Sequence, residues 1–152
     1  ELFGRKVVSK AGGLDRVQLR NIIVNNSRLR KRLEGILHPQ IIKEMVFQIE
    51  TAEYKDKKAV AVEVPLLFEL AMEKQFDVTI VVTAKEVDLV KRIYDRDSVT
   101  KEEAQKMLDL QMSQEDKITR ADHVITNKGT RSELFDSVDN LFGKIQKEFL
   151  TI

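Results

Sequence analysis

Arg92 and Arg96 are the side chains whose type and spacing best suit them to bind phosphate. They lie four residues apart in a segment of helical periodicity, which places both on one face of a helix. Guanidinium groups bind phosphate oxygens bidentately and stabilise the charge that develops during phosphoryl transfer. The ordinary alternative is that both arginines pair with Asp95, Asp97 or other nearby acids on a solvated surface.

Glu63 is a candidate metal ligand because it lies near the end of the apolar run Ala59–Val64. A carboxylate at the carboxyl end of a parallel strand can hold Mg²⁺, directly or through water. The alternative is an acid that is ion-paired or exposed at the rim of the sheet. The two histidines carry less information, because His38 fits a helix cap or a packed polar residue better than a catalytic base, and His123 fits a structural position in a strand.

The segment Arg5–Arg32 is strongly basic. It holds nine basic residues and one acid, Asp15, and therefore carries +8, although the whole chain carries +1. Such a region attracts a polyanion, either a nucleic acid or a phosphorylated small molecule, unless it is only a solvated helix face. Phe3 is the one aromatic residue nearby, so a stacking platform for single-stranded nucleic acid is not evident. A phosphate partner is favoured.

Composition excludes several classes of protein. A chain of 152 residues with 42% hydrophobic residues suits one domain or slightly more. The absence of cysteine excludes disulfides, thiolate metal sites and a cysteine nucleophile. No apolar run reaches the roughly 18 residues of a membrane helix, and no signal-peptide pattern is present, so we expect a cytoplasmic protein.

The first third of the chain predicts a small basic helical unit. A helix over Leu14–Val24 is followed by a second helix that Ser27 caps. His38-Pro39 ends or bends the second helix, because the residue before proline avoids the helical region. Pro39 then fits the first turn of a third helix, which runs through Ile49.

The remainder alternates strands and helices, which is typical of an α/β fold. Val78–Val82 is apolar on both faces, as in parallel sheets covered on both sides. The predicted strands are Ala59–Val64, Val78–Val82 and Asp122–Thr126, and the predicted helices are Leu66–Gln75, Glu86–Asp95, Glu102–Arg120 and Arg131–Phe149.

Capping signals mark several helix starts. Three strong capping boxes occur, and Ser113-x-x-Asp116 is a weaker version. The strong boxes are Thr83-x-x-Glu86, Thr100-x-x-Glu103 and Thr130-x-x-Glu133. In the last helix we expect an inward apolar stripe of Leu134, Val138, Leu141, Ile145 and Phe149.

A series of motifs resembles, in order and spacing, the dephospho-CoA kinase family. Each motif is modest alone, but the ordered set covers the chain almost from end to end and is specific. The motifs are Leu2-Phe3-Gly4, Leu14-Asp15-Arg16, Leu19-Arg20, Leu37-His38-Pro39-Gln40-Ile41, Val64-Pro65-Leu66-Leu67-Phe68-Glu69, Arg92, Arg96-Asp97, Gln111, Glu115-Asp116-Lys117 and Ala121-Asp122-His123-Val124-Ile125-Thr126-Asn127.

This resemblance implies a P-loop kinase-like three-layer α/β fold with a parallel sheet. It implies a helical substrate-binding part over residues 1–58 and the remainder of a kinase core over 59–152, with a helical lid at about 96–118. The implied reaction is ATP-dependent phosphorylation of the ribose 3′-hydroxyl of dephospho-CoA, the last step of coenzyme A synthesis. ATP and Mg²⁺ are the implied cofactors, and neither nucleic acid nor membrane is an expected partner.

The resemblance also implies roles for individual residues. Arg96 and Lys117 are predicted as catalytic lid residues that stabilise phosphoryl charge, with lysine at a position where the family often has arginine. The predicted substrate-binding residues are Arg20, His38, Pro65, Leu66, Leu67 and Glu69. The predicted nucleotide-binding residues are Arg92, Asn127 and Gly129, and Glu63 is the predicted metal ligand.

The chain departs from the family pattern at the phosphate cradle, because its 152 residues contain no G-x-x-x-x-G-K-[ST] motif. In the family this loop, its strand and the aspartate expected as general base would all precede Glu1. We therefore expect the chain alone to be inactive. We also expect a gap near 10 Å, not about 4.8 Å, between the strands Ala59–Val64 and Val78–Val82.

Two other functions compete with this reading. A different P-loop nucleotide kinase is the nearest rival, and the pairing of the LHPxI and PLLFE motifs argues against it. A non-catalytic kinase remnant that binds CoA-like anions or nucleic acid is the alternative from another class, and the missing P-loop is its best support.

Overall fold

The computed structural model describes residues 2–55 and 57–149. The chain forms two compact units, Glu1–Val62 and Glu63–Ile152, and each is described by itself. The predicted domains, 1–58 and 59–152, remain a prediction. None of the described helices is both long enough and apolar enough to cross a bilayer.

The first unit is helical and consists of a 3₁₀ turn at Gly4–Val7 followed by α1 (Arg16–Asn25) and α2 (Ser27–Tyr54). The Asp15 carboxylate caps α1 by accepting a hydrogen bond from the Gln18 N–H at 2.9 Å. Asn26 caps α2, since its side-chain oxygen accepts from the Leu29 N–H at 3.0 Å. The predicted cap, Ser27, is therefore wrong by one position: it is the first residue of the helix.

The predicted break at His38-Pro39 is also wrong, because α2 is one continuous helix of 28 residues with Pro39 inside it. Pro39 has no N–H to donate to the carbonyl of Gly35, so one hydrogen bond of the helix is lost. About three helical turns precede the proline and about four follow it, and their hydrogen bonds keep the helix continuous. Proline marks a local defect here and not a helix end.

The second unit contains a parallel pair of strands, β1 (Ile80–Thr83) and β2 (His123–Thr126), in which Ile80 is opposite His123 and Thr83 is opposite Thr126. Three helices connect the strands, α3 (Glu86–Asp97), α4 (Lys101–Asp109) and α5 (Gln114–Arg120), and α6 (Arg131–Phe149) follows β2. The predicted α/β arrangement and the parallel pairing are confirmed. The buried apolar side chains of this unit are Phe68, Met72, Val81, Ala84, Ala104 and Ile125.

The predicted strand Ala59–Val64 is wrong, because these residues form neither strand nor helix. A strand requires a neighbour that satisfies its backbone N–H and C=O groups. Within residues 2–55 and 57–149, no segment pairs with Ala59–Val64. Because this strand is not formed, the predicted spacing between Ala59–Val64 and Val78–Val82 as sheet strands has no counterpart in the structure.

Two predicted helices differ from the structure. Leu66–Gln75 is a series of turns that ends in a 3₁₀ turn at Glu73–Gln75, and Ala71, with a φ of 51°, has a left-handed conformation that interrupts helical propagation. Glu102–Arg120 is two helices, α4 and α5. The second begins after Ser113, whose hydroxyl accepts a hydrogen bond from the Asp116 N–H at 3.0 Å.

The capping boxes have mixed outcomes. Both reciprocal bonds of the Thr100–Glu103 box are present, at 2.8 and 3.2 Å, and the Thr130–Glu133 box is formed as well. The Thr83 box is wrong, because Thr83 is buried as the last residue of β1 and the cap position of α3 is Lys85.

The inward stripe of α6 is correct for three of its five residues, because Leu134, Leu141 and Ile145 are partly buried. Val138 and Phe149 are 41% and 47% exposed, so their predicted burial is wrong. A single two-stranded sheet is too narrow to cover the whole apolar surface of a 19-residue helix.

Candidate active site

Two of the predicted site residues, Glu69 and Lys117, are in direct contact. The ammonium nitrogen Nζ of Lys117 lies 3.0 Å from Oε1 of Glu69, and the two side chains are only 16% and 19% exposed. The same Oε1 accepts a hydrogen bond from the Met112 N–H at 2.8 Å, and Gln111 accepts one from Lys117 at 3.4 Å. This ion pair joins the turn after Pro65 to α5, and we call it the Glu69–Lys117 pair.

Glu69 is ionised in this environment. Burial opposes its ionisation, but the hydrogen bond from the Met112 N–H and the nearby Lys117 ammonium together outweigh it, so the pKa of Glu69 lies below its ordinary value of 4.5. Its second oxygen, Oε2, is buried and has no hydrogen-bond partner among the described residues.

A second ion pair runs parallel to the first. Arg120, three residues after Lys117, pairs with the carboxylate of Glu73 and donates to the Phe68 carbonyl at 3.1 Å. Its guanidinium also lies 5.3 Å from the centre of the Phe68 ring, within cation–π range. The hydrogen bond from Arg120 lowers the pKa of Glu73.

Sequence reasoning missed this second pair. A usable signal was present: two acids four residues apart, Glu69 and Glu73, match two cations three residues apart, Lys117 and Arg120. Such spacing is compatible with a double contact between two segments, but it does not identify the segments that meet.

A polar cluster joins the amino ends of the strands. Asp122 accepts hydrogen bonds from the N–H and the hydroxyl of Thr79, at 2.8 and 2.6 Å, and the Asp122 N–H donates back to the Thr79 hydroxyl at 3.1 Å. The hydroxyl hydrogen bond from Thr79 is the main reason that the pKa of Asp122 is lowered. This part of the AD-x-VI-x-N motif therefore fixes the register of β1 against β2.

The carboxyl ends of the strands hold the predicted nucleotide-binding residues Asn127 and Gly129. The Asn127 N–H donates to the Thr83 carbonyl at 2.7 Å. The Ala84 N–H donates to the side chain of Gln114, the first residue of α5, at 3.0 Å. The loop after β2 and the start of α5 thus flank the same edge of the sheet, where ligands of parallel sheets bind.

The predicted arginines lie on α3. Arg96 makes two bonds to the neighbouring Asp97 carboxylate, at 3.1 and 2.8 Å, and Asp97 raises its pKa further. Its side chain is 71% exposed, so the guanidinium is charged and accessible. Arg92, one helical turn earlier, is exposed, and the neighbouring Lys91 pairs with Asp95 at 3.1 Å.

The other predicted residues are distributed over both units. Arg20 on α1 and His38 on α2 belong to the first unit and are partly buried. Pro65, Leu66 and Leu67 form the turn that precedes Glu69 in the second unit, where Leu66 and Leu67 are partly buried. The structure thus brings Glu69 to Lys117 and places Asn127 and Gly129 at the strand ends.

The described residues do not fit the implied metal. Glu63 is exposed, and no group of three or more acidic, histidine or cysteine side chains is close enough to hold an ion anywhere in residues 2–55 and 57–149. The role of Glu63 as a metal ligand stays a prediction.

The comparisons with known proteins all point to one family. The family model described as dephospho-CoA kinase matches residues 1–133. A dephospho-CoA kinase of Fusobacterium nucleatum is 38% identical over 138 residues, which cover 90% of this chain and 69% of that protein. One from Bacillus cereus is 36% identical over 130 residues, covering 86% of this chain and 65% of that protein. The chain therefore spans about two thirds of the length of these curated relatives.

Solved structures agree with this similarity. A Thermus thermophilus protein has a TM-score of 0.67 at 29% identity, with 95% of this chain and 73% of that chain covered. The dephospho-CoA kinase of Campylobacter jejuni has a TM-score of 0.63 at 28% identity, with 97% and 75% covered. The predicted P-loop kinase-like α/β fold is confirmed, and the chain belongs to the dephospho-CoA kinase family.

Proposed function

We propose that this protein transfers the γ-phosphoryl group of ATP to the ribose 3′-hydroxyl of dephospho-CoA, in the last step of coenzyme A biosynthesis. The observation that carries the proposal is the Glu69–Lys117 pair. It joins two motifs that resemble the family, PLLFE and the segment that begins α5, at 3.0 Å. The family match over residues 1–133 supports the same activity.

In the proposed reaction the 3′-oxygen attacks the γ-phosphorus and the bond from that phosphorus to the β,γ-bridging oxygen breaks. ADP leaves, and the hydroxyl proton passes to a general base that we assign to none of these 152 residues. Lys117 and Arg96 stabilise the charge on the transferred group. The residues predicted to contact dephospho-CoA are Arg20 and His38 in the first unit and, in the second unit, Pro65, Leu66, Leu67 and Glu69. The residues predicted to contact the nucleotide are Arg92, Asn127 and Gly129.

The proposal distinguishes the 152-residue chain from a protein that also has a phosphate cradle. The backbone N–H groups and lysine of a G-x-x-x-x-G-K-[ST] loop hold the phosphates of ATP in such kinases. The chain contains no such loop, so we expect it to form no CoA by itself. Mg²⁺ enters the proposal only as the ion that accompanies ATP.

A second candidate, a non-catalytic protein that binds CoA-like anions or nucleic acid, rests on the charge of the first unit. Seven of the nine basic side chains of the segment Arg5–Arg32 are exposed, and the first turn of α2 contains no acid. The exposed residues are Arg5, Lys6, Lys10, Arg16, Arg28, Lys31 and Arg32.

Binding by the 152-residue chain separates the kinase proposal from a nucleic-acid-binding protein, whereas a non-catalytic protein that binds CoA-like anions is recognised by its failure to form CoA in the activity assay. The kinase proposal predicts saturable binding of dephospho-CoA that excess duplex DNA does not displace. DNA binding that weakens steeply with salt, and that dephospho-CoA does not displace, would support the second candidate instead. Isothermal titration calorimetry at two salt concentrations measures both ligands directly.

A further inference from the structure

Lys117 is held differently from a surface lysine. Three residues after it, Arg120 is fixed by Glu73 and by the Phe68 carbonyl, so the backbone of α5 is fixed at this point. The four-carbon stem of lysine nevertheless lets its compact charge move while the helix stays in place. The Lys117 ammonium can therefore exchange one anion for another without a movement of α5.

Glu69 sets the condition for that exchange. One of its oxygens binds both Met112 N–H and Lys117, and the other is buried without a partner among the described residues. Withdrawing Lys117 leaves a largely buried carboxylate without its cation, which is costly. Only an anion that attracts the ammonium more strongly than one carboxylate can meet this cost, and a polyphosphate chain has that property.

We propose that Glu69 is a positioning residue for Lys117. Glu69 holds the Lys117 ammonium in place in the nucleotide-free protein, and the polyphosphate of a bound nucleotide replaces Glu69 as the partner of that ammonium. This inference rests on the proposed function, in which Lys117 contacts the transferred phosphoryl group. It gives Glu69 a role through Lys117, distinct from the substrate contact that the family resemblance implies.

The contact itself is tested by chemical acetylation of lysines followed by mass spectrometry. In Glu69→Gln, the Lys117 ammonium loses its ionic partner, and we expect its acetylation rate to rise severalfold. Lys91, whose side chain is 73% exposed, serves as the internal control and keeps its rate. Glu73→Gln is the matched variant, because it removes a carboxylate of the same turn that binds Arg120, and it leaves the Lys117 rate nearly unchanged. An unchanged Lys117 rate in Glu69→Gln would overturn the proposal.

The role is tested by a double-mutant cycle in the protein made from its complete coding sequence. We expect Glu69→Gln to raise kcat/KM for ATP severalfold, because bound ATP then no longer has to draw Lys117 away from a largely buried carboxylate. In a Lys117→Ala background the same change has almost no further effect, because Glu69 acts through Lys117. Lys117→Arg keeps the cation and retains the dependence on Glu69. Glu73→Gln, in contrast, changes the melting temperature, and its effect on kcat/KM simply multiplies with the effect of Lys117→Ala.

The outcomes distinguish this inference from the proposed function. If the wild-type protein forms no CoA at all, the proposed function fails and the inference falls with it. If the wild type is active but the effects of Glu69→Gln and Lys117→Ala simply multiply, the kinase proposal stands and the positioning role is wrong.

Discussion

Gly129 shows how a single residue connects the strand ends to the helix that follows. A Cβ atom at this position would overlap with Oε2 of Glu133, the oxygen that accepts the Thr130 N–H bond of the capping box. Any side chain at Gly129 therefore competes with the cap of α6. Gly129 stays a predicted nucleotide-binding residue. The structure adds a local reason for glycine at this position, because a side chain would disturb the cap of α6.

Gly129→Ala should therefore destabilise the protein by about 0.5–2 kcal/mol, the cost of losing a helix cap. Gly143→Ala is the matched control, because apart from its chain neighbours and the backbone of its own helix no atom of the described residues lies within 4 Å of the new methyl group, and the position is inside α6. Alanine there should stabilise the helix by about 0.5–1 kcal/mol. Urea unfolding measures both, and the same sign for the two variants would contradict this reading.

Thr79→Val removes the hydroxyl that both donates to the Asp122 carboxylate and accepts from the Asp122 N–H. Because Thr79 is 5% exposed and its partner is charged, we expect a loss of about 1.5–3 kcal/mol near neutral pH. The measurement is again the free energy of unfolding in urea.

The pH dependence of this loss has a definite sign. The pKa of Asp122 is lower in the folded protein than its ordinary value of 3.8, so the contribution of the contact is complete above that value. It decreases as pH falls through the lowered folded pKa, and the difference between wild type and Thr79→Val should shrink there. A difference that grows in acid would contradict this assignment.

At the residue scale, sequence reasoning found the members of the main contact but not the contact. Glu69 and Lys117 were both predicted site residues, since each lies in a family-like motif. Their pairing depends on how the turn and α5 pack, and no local pattern specifies that packing. For the same reason the pair of Glu73 and Arg120 was missed.

At the scale of elements, local signals located α3 and α6 but misplaced the Ser27 and Thr83 caps, the break at Pro39 and the helix Leu66–Gln75. The helices α3 and α6 were found because their periodicity specifies them, and α6 also has the predicted Thr130–Glu133 capping box. Residues 59–64 have the composition of a strand, but composition cannot supply the partner that a strand needs. Pro39 was interpreted as a boundary, although long helical flanks tolerate it.

The strand β1 exposes apolar side chains, although its sequence, apolar on both faces, predicts a strand covered on both sides. Ile80 and Val82 are 43% and 59% exposed, and among the described residues β1 pairs with β2 alone. A two-stranded sheet is marginal, and an unpaired apolar edge promotes association. We expect the 152-residue chain to self-associate as its concentration rises.

Val82→Lys should reduce this association, because an edge lysine disfavours pairing with a second chain. Val87→Lys is the matched control, since Val87 is 70% exposed on α3 and outside the sheet. Sedimentation velocity over a concentration series gives the comparison. Equal effects of the two lysines, or a chain that stays monomeric throughout, would contradict an association through β1.

At the scale of the whole molecule, the family and reaction class came from the order of motifs rather than from any single residue. The relatives confirm that family at 34–38% identity among dephospho-CoA kinases, and the solved structures share the fold at TM-scores of 0.67 and 0.63. Composition and charge alone predicted no more than a partner that bears phosphate. The basic first unit and the ion-paired second unit are consistent with a kinase that handles two phosphorylated substrates.

The most direct test is formation of CoA from dephospho-CoA and ATP by the protein made from its complete coding sequence, with product and ADP both quantified. We predict one CoA and one ADP for each ATP consumed, and no CoA when ATP is omitted. ATP that is left unchanged, or hydrolysed without formation of CoA, would contradict the assignment of this protein as a dephospho-CoA kinase.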